Sequence, residues 1–151
     1  MSNALSHFPV LGTFAALVLL LQACSESPSR EVEACNGSAD HCEIPLDELV
    51  VPGTHNSMSN TEDGWVAPNH QSGIPAQLEG GIRGFLIDTY EFEGELVLCH
   101  SFCELGSVPL AEVLEQVAEF LEANPGEFLV FVIQDAITPE QTASAFEAAG
   151  L

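Results

Sequence analysis

Lysine is absent from this chain, and arginine occurs twice, at Arg30 and Arg83, against 23 acidic residues. Nucleic acid is excluded as a partner, because binding a phosphate backbone takes clustered Lys and Arg. A polybasic membrane patch is excluded for the same reason. Long apolar runs are scarce too. The most continuous one, Phe8 to Leu21, is short for a membrane span, which takes about 20 residues. No internal repeat or low-complexity segment is present. What remains is an ordinary share of apolar residues, 46%, under a formal net charge of −21. Scattered acids over a normal apolar fraction describe a highly solvated surface on a real core, not a disordered chain. A length of 151 residues suits one domain.

The apolar run Phe8–Leu21 is about the length of a signal-peptide core and closes on Leu21-Gln22-Ala23-Cys24. That ending resembles the bacterial lipoprotein box, in which the cysteine receives lipid. It departs from the usual pattern in having no Lys or Arg over residues 2–7. The expected organisation is a lipoprotein signal peptide over 1–23, a polar tether over 24–43 and a folded domain over 44–151. The chain would then be exported and held at a membrane of the cell envelope through Cys24. With Cys24 lipidated, four cysteines remain, Cys35, Cys42, Cys99 and Cys103. An even number in an exported chain indicates disulfides. Three pairings exist, and the two local ones, Cys35–Cys42 and Cys99–Cys103, need no long-range assumption. A zinc site at Cys99-His100-Ser101-Phe102-Cys103 is the rival reading, disfavoured by an oxidising compartment.

The stretch Leu49-Val50-Val51-Pro52-Gly53-Thr54-His55-Asn56-Ser57 organises the domain. Leu46–Val51 reads as a buried first strand, and Pro52-Gly53 as the turn that breaks it. Asn60–Ser72 is a loop in which Trp65 is expected to pack. A short helix over Ile74–Leu78 stops at Gly80-Gly81. Arg83–Tyr90 reads as a second strand, its buried run ending at Asp88. Gly94 turns the chain into a third strand, Glu95–Cys99, ending at His100. Pro109 opens a helix whose Leu110, Val113, Leu114, Val117, Phe120 and Leu121 share one face. Phe128–Ile133, the most hydrophobic strand, should be central and buried on both faces, and it leads to Gln134-Asp135. Thr138-Pro139-Glu140-Gln141 is a capping box for a last helix, with Gly150 at its end.

Polar, titratable residues at the ends of successive strands are the mark of an α/β barrel site. His55 and His100 could serve as general base and general acid, since imidazole titrates near neutrality. Asn56, Asp88 and Gln134 or Asp135 offer oxygen ligands of the kind hard cations take. Two imidazoles facing an oxygen-bound cation suit phosphodiester cleavage.

Several motifs in order make this specific: Pro52-Gly53-Thr54-His55-Asn56-Ser57, Gln77-Leu78 with Gly81-Ile82-Arg83-Gly84, Leu86-Ile87-Asp88 and Leu98-Cys99-His100. Together they resemble the X region of phosphatidylinositol-specific phospholipase C, over Pro45 to Gln134. The nearest flavour is the exported, cysteine-containing members. The resemblance implies an α/β fold, the first half of a distorted TIM (β/α) barrel, and cleavage of a phospholipid on the diacylglycerol side of its phosphate. It assigns His55 as base and His100 as the group that assists the leaving oxygen or stabilises the pentacoordinate phosphate. Arg83 is assigned to substrate binding, and Asn56, Asp88 and Gln134 to calcium. Leu86 stands where metal-dependent members carry an acid, and Gln134 where they carry Glu. Calcium is therefore expected to be held weakly or by a different set.

A barrel of this class takes about 250 residues, so the chain is expected to be part of a longer product. The leading reading is a phosphoric diester hydrolase of the phospholipase C type. The alternative is a non-catalytic surface lipoprotein that keeps the scaffold for binding. A glycerophosphodiester or sphingomyelin phosphodiesterase is a third reading, opposed by Leu86-Ile87-Asp88, which breaks the Glu-x-Asp pair those barrels use.

Overall fold

The structure is a computed structural model that describes residues 34–151. The expected signal peptide, Cys24 and the first part of the tether lie outside the described residues. Eight regular elements follow in order: β1 (Gly53–Thr54), α1 (Ile74–Glu79), β2 (Gly84–Phe92), β3 (Glu95–Cys99), β4 (Ser107–Pro109), α2 (Leu110–Ala123), β5 (Val130–Asp135) and α3 (Pro139–Ala149). The architecture is mixed α/β, a curled five-stranded sheet with helices packed on one face.

The central strand is β2. Its residues 84–89 pair in parallel with residues 130–135 of β5 along one edge. The opposite edge is shared. Gly84 and Phe85 pair in parallel with Gly53 and Thr54 of β1, while Thr89 to Phe92 pair with the antiparallel β3. Between those two partners, at Leu86 to Asp88, the edge is left by one chain segment and approached by another. This gap positions the site described below.

The first strand is not where the apolar run predicts it. Residues 46–48 form a turn closed by Glu48 N–H donating to the Pro45 carbonyl, and Leu46 and Val50 are 65% and 90% exposed. Strand pairing begins at Gly53 because the two backbones meet there with no room between them. A Cβ on Gly84 would lie 3.2 Å from Gly53 Cα, and a Cβ on Gly53 3.3 Å from the Gly84 oxygen. The glycine read as a turn residue is thus a close-approach residue in a strand.

β5 also departs from expectation. It lies at the sheet edge among the described residues, and Val130 and Val132 are 43% and 53% exposed. Its alternate residues Phe131 and Ile133 face the helices, where Phe131 stacks on Phe85 at 5.6 Å and meets Phe146 of α3 edge-on at 5.7 Å. A continuous apolar run cannot tell a strand covered on both faces from one covered on a single face.

The core lies between the sheet and α2. Leu110, Val113, Leu114 and Val117 are buried on one face of α2, against Ile87, Leu98 and Phe85 of the sheet cluster. Burying each such side chain contributes roughly 1.5–3 kcal/mol. The outward positions Glu112, Glu115, Glu119 and Glu122 are exposed, so the acidic surface begins where the apolar stripe ends. α3 starts with the predicted capping box, Thr138 and Gln141 each bonding the other's backbone N–H, and ends on Gly150 in the left-handed conformation.

Both local disulfides are present, Cys35–Cys42 and Cys99–Cys103. With Cys99 and Cys103 joined, the zinc reading of that segment is withdrawn. The Cys35–Cys42 loop is docked on the body. Asn36 N–H donates to the Gly126 carbonyl, Phe128 N–H to Asn36 Oδ1 at 2.8 Å, and Gly37 N–H to Glu127 Oε1.

Candidate active site

His55 is the first residue past β1, and His100 the first past β3. The sequence places both at the same end of parallel strands, but β3 runs antiparallel to β2. They meet for a different reason. β2 continues four residues beyond Asp88, to Phe92, before the Glu93-Gly94 turn reverses the chain. β3 then returns along the same edge, with Leu98 opposite Thr89, which brings Cys99 level with Asp88 and His100 one residue further into the gap. β1 delivers His55 from the other direction, with Thr54 opposite Phe85. The two histidines thus enter the gap in the β2 edge head-on.

Asp88 lies mid-strand rather than at a strand end, and is 1% exposed. Its Oδ1 is buried with no hydrogen-bond partner. Burial pushes its carboxyl above the ordinary value of 3.8, and the positive charge of His100 and of His55 pulls it back in part. An uncompensated buried carboxyl oxygen is costly, and such perturbed groups concentrate at functional sites. In register with Asp88 on β5 stands Gln134, so both side chains leave the same sheet face. Asp135 leaves the other face, where its Oδ1 accepts from Thr89 Oγ1 at 3.1 Å and from the Ile137 N–H at 3.0 Å. It is committed to the start of α3 and does not reach the site.

The turn after His55 is held from behind by a closed set of polar contacts. Ser57 N–H donates to the Leu86 carbonyl at 2.9 Å and so occupies the open β2 edge. Gln77 of α1, itself buried, donates from Nε2 to the Ser57 and Ser72 carbonyls and accepts from Thr54 Oγ1 at 2.7 Å. Asn56 sits at φ 52, a left-handed conformation that Asn tolerates better than most residues. Its Nδ2 donates to Asn69 Oδ1.

Arg83 is not brought to the site. It precedes β2 at the far end, where Nε donates to Glu127, Nη1 donates to the Leu78 and Ile82 carbonyls, and the guanidinium lies over the Phe120 ring. Its role is to tie α1, α2 and the approach to β5 together. His70, which no pattern in the sequence marks, does reach the site, donating from Nε2 to the His55 carbonyl at 2.8 Å. No group of three or more His, Cys, Asp and Glu able to hold a metal occurs among the described residues. Asp88 and Gln134 share a sheet face and Asn56 lies in the turn after His55, and the oxygens these three carry are of the hard type.

Two clefts open on either side of the gap. One, of about 290 Å³, is lined by Thr54, His55, Leu86, Val130 and Val132. The other, of about 380 Å³, is lined by Ser59, Trp65, Asn69, His100 and Phe102. Each histidine therefore borders its own cleft. Trp65 packs as expected: it is buried, and its ring lies against Gly106.

The PI-PLC X family model, described as PI-PLC X 1, matches residues 41–151. The chain is 30% identical to a PI-PLC X domain-containing protein of Arabidopsis thaliana over 125 residues, 72% of this chain and 28% of that protein. It is 32% identical to an uncharacterized secreted protein of Arthroderma benhamiae over 100 residues, 66% of this chain and 22% of the relative. It thus spans about a quarter of the length of these curated relatives. Two disulfides and likeness to a secreted protein both point to export. By the match of the family model over residues 41–151 and the likeness to a PI-PLC X domain-containing protein, the chain belongs to the PI-PLC X domain family.

Proposed function

We propose that the domain carries the two-histidine part of a phospholipase C-type phosphoric diester hydrolase. The observation that carries this reading is the pair of imidazoles led from opposite directions into one gap, beside a buried, unpartnered carboxylate. His55 takes the proton of the attacking hydroxyl. His100 returns a proton to the leaving oxygen on the other side of phosphorus. A phosphodiester has two arms, and the separate clefts beside His55 and His100 offer each arm a place. The substrate class is a phospholipid, and the scaffold is that of a (β/α) barrel that continues from the open edge of β5.

Calcium fits the donors present. Asp88, Asn56 and Gln134 would hold it, and it would supply positive charge to the phosphate oxygens. That charge matters because Arg83, the one Lys or Arg side chain among the described residues, is engaged elsewhere. The same observation favours a second reading, a non-catalytic scaffold that binds without cleaving. In either case the protein is exported and anchored through lipid on Cys24.

The test is hydrolysis of a panel of phospholipids by the full-length protein, with and without a chelator. General acid–base groups contribute about a hundred- to ten-thousand-fold. His55→Ala and His100→Ala are each expected to lose at least roughly a hundredfold in kcat while the fold is kept. The double variant should lose far less than the product, since groups that act as a unit are not additive. A folded protein that cleaves no member of the panel leaves the scaffold reading standing.

A further inference from the structure

The His55 turn is fixed firmly at its two ends and differently in its middle. Thr54 and Ser57 are bonded to Gln77 and to the β2 edge. The peptide between His55 and Asn56 faces the other way, toward the loop over residues 59–70. There the His55 carbonyl accepts from His70 Nε2 at 2.8 Å, and the side-chain Nδ2 of Asn56 donates to Asn69 Oδ1. A carbonyl oxygen only accepts, so the His70 ring must carry a proton on Nε2. The direction of that carbonyl is set by ψ of His55 and φ of Asn56. A donor fixed upon it restrains both torsions, including the left-handed φ of 52 at Asn56.

The donor is itself immobilised. His70 N–H donates to the Ser59 carbonyl at 3.0 Å, and the His70 carbonyl accepts from Thr61 N–H at 3.0 Å and Thr61 Oγ1 at 3.2 Å. Residues 60 and 70 form a parallel bridge. The ring therefore projects from a braced platform, the arrangement that holds a reacting group to its working geometry. We infer that His70 is a positioning residue: through its Nε2–H it holds the His55–Asn56 peptide in the setting the proposed reaction uses. This rests on the phosphodiesterase reading. His70 touches neither phosphorus nor the transferred proton; it acts through the backbone of His55.

The test compares wild type, His70→Ala, His70→Gln and His70→Asn in the full-length protein. The first readout is nitrogen-15 NMR of the histidine rings and backbone. His70 is expected to show a proton on Nε2. In His70→Ala, the His55 ring and Asn56 amide signals are expected to shift and broaden. Glutamine can present an amide N–H near the same point and should restore them; asparagine, one methylene shorter, should not. The second readout is kcat and KM on whichever phospholipid the wild type cleaves. Misplacing a reacting group can cost on the order of a hundredfold. His70→Ala and His70→Asn are expected to lose roughly ten- to a hundredfold in kcat with KM little changed, and His70→Gln to recover most of it. If His70→Ala fails to fold, the Gln and Asn variants decide. An alanine variant with wild-type kcat, or a glutamine variant no better than asparagine, overturns the inference. If wild type cleaves nothing, the phosphodiesterase reading fails, and the NMR readout judges His70 alone: unmoved His55 and Asn56 signals overturn its role.

Discussion

Asp88 is held in the folded chain against its own solvation. Its Oδ1 is buried without a partner and its carboxyl is pushed above the ordinary value of 3.8, burial being the larger cause and the two histidines opposing it. A carboxyl raised in this way binds its proton more tightly folded than unfolded. Its contribution to stability is therefore most favourable at acid pH and is lost as pH rises through the folded value. Asp88→Asn removes that buried charge. In chelator, the variant is expected to be more stable than wild type at neutral pH in urea denaturation. The gain should shrink as pH falls toward 3.8, where wild-type Asp88 is itself protonated. A destabilised variant at neutral pH would show that the carboxylate has compensation the structure does not contain. His55, Asp88 and His100 were legible because polar residues interrupt or close apolar runs. The pairing of Arg83 was not legible, because its partner Glu127 lies 44 residues away and no local pattern connects them. His70 had no signal at all: a histidine in a polar loop gains meaning only when the loop folds against residue 55.

The elements show which local rules survive tertiary packing. Helix rules did, since caps and an apolar stripe are properties of the segment itself. α1, α2 and α3 begin and end within a residue or two of the expected signals. Strand rules failed wherever pairing decided the outcome. The apolar Leu46–Val51 remained outside the sheet, while the two-residue β1 formed on a glycine. β4 carries no strand signature and exists because Ser107 to Pro109 lie antiparallel to Val97 to Cys99. The Gly53–Gly84 contact makes this testable. A Cβ at residue 84 would meet Gly53 Cα at 3.2 Å, and backbone cannot step aside as a side chain can. Gly84→Ala is expected to cost about 1–3 kcal/mol, the usual range for overpacking. It should also displace β1, and His55 with it. Equilibrium denaturation measures the first effect, and the His55 ring resonance the second. An unchanged denaturation midpoint would mean that β1 is not held by close approach.

At the scale of the whole molecule, the charge is the dominant fact, and it was fully legible from composition. A net charge of −21 with no lysine leaves very few opportunities for attraction. Among the described residues there is one ion pair between an arginine and a carboxylate, Arg83–Glu127, with both side chains 12% exposed. Repulsion among exposed carboxylates is spread over the surface and opposes the compact state. The two terms respond oppositely to salt. Screening weakens attraction in the pair and repulsion everywhere else. The pair is mostly shielded from solvent and is screened little, whereas surface charges are screened strongly, the Debye length falling from about 10 Å at 0.1 M to about 3 Å at 1 M. The repulsive term therefore controls the sign. The melting temperature is expected to rise as salt increases from low concentration to about 1 M. Sodium chloride and choline chloride should act almost alike, because screening depends on ionic strength and not on cation identity. Calcium chloride at matched ionic strength should add stability beyond that common rise only if the cation site at Asp88 is real, and Asp88→Asn should remove the excess alone. A melting temperature that falls with either monovalent salt would show that attraction, not repulsion, governs the surface.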